Sequence, residues 1–151
     1  MSLRDEFGSL FEMARSIAEG EIPQPPVAQL IGFRLVSVDP GKAVLEMEAD
    51  ERHTNPMGTL HGGILCDIAD AAMGLAYAST LEAGESFTTL ELKINYLRPF
   101  WTGALQAVGR VVQNGRLVGL AECDVEDAEG HLIARATSTC MTLRGDHARG
   151  R

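Results

Sequence analysis

From Asn55 to Asp70 the chain runs Asn55-Pro56-Met57-Gly58-Thr59-Leu60-His61-Gly62-Gly63-Ile64-Leu65-Cys66-Asp67-Ile68-Ala69-Asp70. A polar, proline-containing loop gives way at Gly62-Gly63 to an apolar, helix-forming run. Paired glycines at a helix start let a ligand approach the backbone closely, and the first-turn N–H groups, with the helix dipole, favour negative charge. A carbonyl oxygen becoming an oxyanion as its carbon is attacked carries such charge, and one preorganised backbone donor supplies it with about 3 kcal/mol. The N–H of Gly62 is therefore the candidate oxyanion donor. The competing reading is that the glycines serve only close packing of the helix against a strand.

A base or nucleophile would complete the chemistry. Asp67 and Asp70 both lie in an apolar stretch, where a carboxylate costs several kcal/mol unless it is paired, hydrogen-bonded or protonated. Three residues apart, they take neighbouring helix faces, and periodicity alone leaves open which one points inward. Asp70 stands eight residues beyond Gly62, ~12 Å along a regular helix, too far for one carbonyl to touch both. Joint action on one bond requires the carboxylate of a second copy, with two such helices antiparallel across a two-fold axis, so this chemistry predicts a dimer. His61 has no Ser or Cys nucleophile in a recognisable setting and is expected to hydrogen-bond at the helix start and fix the loop. His53 and His61 lack a familiar metal-ligand spacing and an obvious third ligand, so no metal site is expected.

The elements that must hold these groups follow from periodicity. Leu3 to Ala18 has apolar residues at helical spacing and ends at Gly20; Pro23, Pro25 and Pro26 force an extended connector. Val27 to Ile31 allows a short helical turn. Phe33 to Val38 and Ala43 to Ala49 read as a β-hairpin around Asp39-Pro40-Gly41. Leu60 to Leu81 is proline-free, alanine-rich and apolar round most of its circumference, which predicts a buried helix of ~33 Å. Phe87 to Leu97, Leu105 to Gln113, Leu117 to Val125 and Leu132 to Leu143 read as four strands of a meander, with turns at Asn114-Gly115 and at Asp127 to Gly130. A six-stranded antiparallel sheet wrapped around a long central helix, with an extra N-terminal helix, accounts for both the buried helix and the one-sided strands; the class is α+β.

Composition narrows the partners. A chain of 151 residues fits one domain, and 45% apolar with 23% charged residues is a globular balance. The net charge of −8 and the lack of a Lys/Arg cluster argue against nucleic acid. There is no run of ~18 apolar residues to cross a bilayer, and the charged start does not resemble a signal peptide. Cys66, Cys123 and Cys140 are an odd set without CxxC spacing, as expected for buried free thiols in the cytoplasm.

Asn55, His61-Gly62-Gly63, Asp70 nine residues after the histidine, and Asn95-Tyr96-Leu97-Arg98-Pro99 resemble the PaaI-type acyl-CoA thioesterases of the hotdog superfamily, over roughly Pro25 to Leu143. The resemblance implies residues 1–24 as helix and linker, 25–144 as the hotdog domain and 145–151 as a flexible tail. It implies hydrolysis of an acyl-CoA thioester without a cofactor, in a homodimer at minimum and a homotetramer as a dimer of dimers. It selects Asp70 over Asp67 as nucleophile or general base, makes Gly62 the carbonyl-polarising donor, and has Asn55 position water or the acyl group. Thr89 matches a water-orienting hydroxyl, with Thr88 as the neighbouring alternative. Met57, Met73, Tyr77 and Phe87 are expected to line the acyl tunnel, and Arg98, Arg110 and Arg116 are candidates for the CoA phosphates. The other reading is a non-catalytic acyl-CoA-binding or sensing protein. A dehydratase of similar fold would pair a His with a carboxylate in a different motif.

Overall fold

The computed structural model describes residues 6–149. Helix α1, Leu10–Ala18, begins at a capping box in which Ser9 and Glu12 satisfy each other's backbone N–H groups, and it buries Leu10, Ala14 and Ile17. Residues 3–5 of the expected helix lie outside the described part. Helix α2, Pro26–Ile31, ends at Gly32, whose φ of 98° only glycine adopts readily. Strands β1, Phe33–Asp39, and β2, Lys42–Ala49, form the expected hairpin. The central helix α3 spans Gly62–Ala78, shorter at both ends than its apolar pattern suggested. Strands β3, Ser86–Tyr96, β4, Gly103–Asn114, β5, Val118–Asp127, and β6, Leu132–Leu143, complete a single antiparallel sheet.

The strand order is β1-β2-β4-β5-β6-β3, which corrects the expected four-strand meander: only β4, β5 and β6 are consecutive neighbours. β3 pairs with β6 at the sheet edge, and the chain then returns across the sheet's end to β4. That return covers three strand spacings, ~14 Å, which the six residues 97–102 can reach when extended, at up to ~20 Å. It is tied down on the way. The N–H groups of Leu97 and Arg98 both donate to the carbonyl of Ile133, and Leu60 N–H donates to the carbonyl of Phe100 at 2.8 Å.

The sheet curls round α3, whose Ala69, Ala72 and Ala76 are fully buried and let backbone approach backbone. The closest approach is at Gly109 of β4, where a methyl group would overlap the carbonyl oxygen of Ala72 and lie 2.8 Å from the N of Met73. At the far end Tyr77 is wholly buried, its hydroxyl 2.7 Å from that of Thr142 and its ring edge-on to Phe87. The reversal from β4 to β5 falls two residues later than the Asn-Gly pair suggested, with Gly115 N–H donating to the carbonyl of Val118 and Arg116-Leu117 between them. Residues 145–148, expected in a frayed tail, form a 3-10 turn in which Ala148 is 3% exposed; residues 150 and 151 lie outside the described part.

Candidate active site

The loop before α3 is fixed by hydrogen bonds. Thr54 and Leu60 bridge, Asn55 N–H donates to the carbonyl of Thr59 at 2.8 Å, and Gly58 turns the chain with φ 81°. Asn55 organises the tip: its Oδ1 accepts from Met57 N–H at 2.9 Å and from Thr59 N–H at 3.3 Å, while its Nδ2 donates to the Thr59 hydroxyl at 2.8 Å. The base of the loop is held by His53. This buried ring accepts from Asp50 N–H at Nδ1, 3.0 Å, and donates from Nε2 to the carbonyl of Ile31, 2.6 Å. Both ring nitrogens are thereby used, which removes His53 as a metal ligand and fixes its tautomer.

His61 is placed differently from expectation. It is the cap residue of α3, and its main-chain N–H donates to the carbonyl of His53 at 2.9 Å, but its side chain makes no capping hydrogen bond and is exposed. The loop-fixing imidazole is that of His53. The His61 ring instead lies over Gly63, where a methyl group would come within 3.1 Å of it.

At the helix entrance Ile64 N–H closes on the carbonyl of His61, at 3.0 Å, while the N–H groups of Gly62 and Gly63 have no acceptor among the described residues. These are two of the unsatisfied donors that every helix start presents. They open beside a pocket of about 340 Å³ lined by Asn55, Gly62, Leu65, Tyr96, Leu97 and Phe100 among others. Glycine at 62 also has a packing reason, since a methyl group there would sit 2.7 Å from Cζ of Tyr96. An uncommitted N–H and close packing therefore coincide at this position.

Asp67 and Asp70 are both exposed, contrary to the expectation of a carboxylate buried in an apolar helix. The chain's own sheet covers only part of α3 and leaves open a stripe containing Cys66, Asp67 and Asp70. Asp70 accepts a hydrogen bond at Oδ1 from the Thr89 hydroxyl, 3.2 Å, and its other oxygen has no partner among the described residues. Thr88 makes no such contact. A β-bulge between Thr89 and Glu91 shifts the phase of β3, so Thr89 before it and Leu92, Ile94 and Tyr96 after it face α3. Asp67 has its carboxyl pushed above the usual range, first by partial burial and then by the charge of Asp70, with His61 opposing.

Within one chain the free N–H groups and Asp70 stand two helical turns apart, ~12 Å. Met73 and Tyr77 are core residues and Met57 is 77% exposed. The apolar lining of the pocket at the helix entrance comes from Leu65, Tyr96, Leu97 and Phe100; the signal for Tyr96 and Leu97 lay in the Asn95 to Pro99 stretch, but only the crossover to β4 brings that stretch to the helix entrance. Of the three candidate arginines, Arg98 lines this pocket and Arg116 lines another, beyond the C-terminal end of α3, with Thr80 and Arg144. A larger cleft of about 690 Å³ lies on the outer face of β1, β2 and β4, among Arg34, Glu46, Glu48 and Asp127; its charged lining suits no acyl chain. Asp127, Glu129 and His131 bring potential metal-ligand atoms within 4.8 Å. The Asp127 carboxylate is already engaged by Glu129 N–H, His131 N–H and His131 Nδ1, which closes the β5–β6 turn and accounts for the grouping.

Residues 57–134 match the family model described as Thioesterase superfamily. The chain is 34% identical over 107 residues to acyl-coenzyme A thioesterase 13 of Homo sapiens, covering 70% of this chain and 76% of that one. It is 30% identical over 111 residues to 1,4-dihydroxy-2-naphthoyl-CoA hydrolase of Listeria monocytogenes, covering 74% and 90%. In structure it is similar to the E. coli PaaI protein from the phenylacetic acid degradation operon, with a TM-score of 0.79 and 25% identity over 91% of this chain and 98% of that chain.

Proposed function

The chain belongs to the thioesterase superfamily and has its hotdog fold, and from that premise we propose that it hydrolyses an acyl-CoA thioester to the free acid and CoA at a site shared between two subunits. The observation that carries the proposal is the pair of N–H groups at Gly62 and Gly63 that no described residue uses, with Gly62 lining a pocket at the helix start whose apolar walls are Leu65, Tyr96, Leu97 and Phe100. The thioester carbonyl oxygen lies on Gly62 N–H of one subunit. Asp70 of the partner subunit reaches the carbonyl carbon, either directly, forming a mixed anhydride that water then opens, or through a water whose proton it takes. In both routes the C–S bond breaks, the thiolate leaves as CoA and takes up a proton, and water supplies the hydroxyl of the acid. Only water is consumed, and no cofactor or metal takes part.

The Thr89 hydroxyl holds one oxygen of Asp70 and leaves the other for substrate or water. Asn55 shapes the loop around the carbonyl through both ends of its amide, and the second hydrogen of its Nδ2 is left to donate to water or the acyl group. His61 contributes its main chain to the helix entrance. A second copy also fits what the single chain leaves bare: the edge strand β3 with Leu90 exposed on it, and the open stripe of α3. A further exposed apolar group, Val112, Leu117, Val118 and Leu120 around the β4–β5 reversal, offers a face through which two dimers pair into a tetramer.

The test is thiol release from a panel of acyl-CoAs by wild type and by Asp70→Asn. Wild type is expected to turn over at least one member, and Asp70→Asn to lose ~100-fold or more in kcat, as for loss of a positioned base. Unchanged turnover in Asp70→Asn would remove Asp70 from the chemistry. Tight acyl-CoA binding with no thiol released by wild type would establish a sensor instead.

A further inference from the structure

Tyr96 closes β3, and the bulge earlier in that strand turns its side chain toward the start of α3. Its ring lies against Gly62 so closely that a methyl group there would come within 2.8 Å of the phenol oxygen as well as 2.7 Å from Cζ. Its hydroxyl is 3.2 Å from Sγ of Cys66, one helical turn further on. The backbone end of the residue is pinned by pairing with Ala134 of β6, so the ring is held at both ends. Contact with Cys66, followed by burial, pushes the phenol up to about 12, which keeps the hydroxyl protonated and able to donate. Even so, 54% of Tyr96 remains exposed, and the residue is a wall of the pocket, with Leu65, Leu97 and Phe100.

A pocket with Leu65, Tyr96, Leu97 and Phe100 among its walls, Asn55, Thr59 and Arg98 as its polar lining, and the Gly62 backbone beside them suits an acyl group whose carbonyl stays at Gly62. At about 340 Å³ it is near the small end of the range for ligand pockets, roughly 300–1,000 Å³. Resting on the thioesterase reading, we infer that this pocket takes the acyl group and that the Tyr96 ring, tethered by Cys66, sets the largest acyl group the protein accepts. Short-chain and single-ring acyl groups are the class that fits. Leucine in place of Tyr96 deepens the pocket, whereas Tyr96→Phe and Cys66→Ala keep the wall and release its tether.

The experiment compares these three variants with wild type over straight-chain acyl-CoAs from acetyl to lauroyl and phenylacetyl-CoA. Two readouts are taken: kcat/KM from thiol release, and Kd for the corresponding S-alkyl-CoA thioethers, which report on the pocket whether or not the thioester is cut. Tyr96→Leu is expected to raise the long-to-short ratio of kcat/KM, and of thioether affinity, by about 10-fold or more, the scale on which a pocket discriminates added methylenes. Tyr96→Phe and Cys66→Ala shift it in the same direction but less. If wild type releases no thiol, the thioesterase reading fails, and the thioethers still decide the role of Tyr96. A chain-length ranking unchanged between wild type and Tyr96→Leu in both readouts overturns the assignment.

Discussion

Proline in place of Gly62 deletes the proposed oxyanion donor at little cost to the helix. Position 62 is the first residue of α3, where proline is favoured because the missing N–H has no helical partner, and here that N–H is uncommitted. The preceding residue, His61, has φ −65° and ψ 130°, the extended conformation that a following proline demands. A Cβ at position 62 meets the Tyr96 ring; a Gly62→Pro, Tyr96→Leu double variant separates displacement of that ring from loss of the donor. Removal of a backbone oxyanion donor costs ~3 kcal/mol, or about 10²–10³ in kcat.

The decisive experiment mixes Gly62→Pro with Asp70→Asn. Each homodimer is impaired at both sites, but a mixed dimer pairs the intact helix entrance of one chain with the intact carboxylate of the other at one of its two sites. Random reassociation at equal concentration makes half the dimers mixed, so the co-refolded mixture should recover roughly a quarter of wild-type activity. Activity equal to the mean of the two separate variants would show that each chain works alone and would refute the shared site. A Gly62→Pro enzyme with wild-type kcat would refute the donor.

Two predictions concern the fold that holds the site. Gly109→Ala drives a methyl group into the backbone of Ala72 and Met73; two backbones must part, and a loss of at least ~1–3 kcal/mol is expected from overpacking, read as a lower Tm. The Arg135 guanidinium, 2.6 Å and 3.0 Å from the two oxygens of Asp124, holds that carboxyl below its usual range. A depressed folded-state pKa stabilises fully above the ordinary carboxylate value of ~3.9 and loses that effect as pH falls through the lower folded value. Arg135→Met should therefore be less stable than wild type at pH 7, by ~1 kcal/mol or less because the guanidinium faces water, with the gap closing in acid. Urea melts at several pH values check this; a gap that widens in acid would contradict it.

Much of this was legible in the residue pattern. The elements, their order and the Gly62-to-Asp70 spacing follow from periodicity, glycine placement and helical rise. Three features were not, each for a non-local reason. The place of β3 depends on sheet curvature, which brings two strands distant in order within reach of a six-residue connector. The choice of Thr89 over Thr88 depends on where the strand bulges, and a bulge leaves little trace in composition. The exposure of Asp70 was hidden because an apolar helix looks the same whether its last face meets its own sheet or a second subunit. A fourth is the loop-fixing role, expected of His61 and filled by His53, whose acceptor lies 22 residues earlier.

That bond between His53 and Ile31 joins the loop bearing Asn55 to a short helix which, read along the chain, looks like dispensable leader. Engineering that trims such segments to reach a minimal catalytic unit would here strip away an anchor, leaving His53 Nε2 without its acceptor and the loop without its rear support. The same holds for the turn at Gly32, which follows directly on the carbonyl that Ile31 delivers to this distant imidazole.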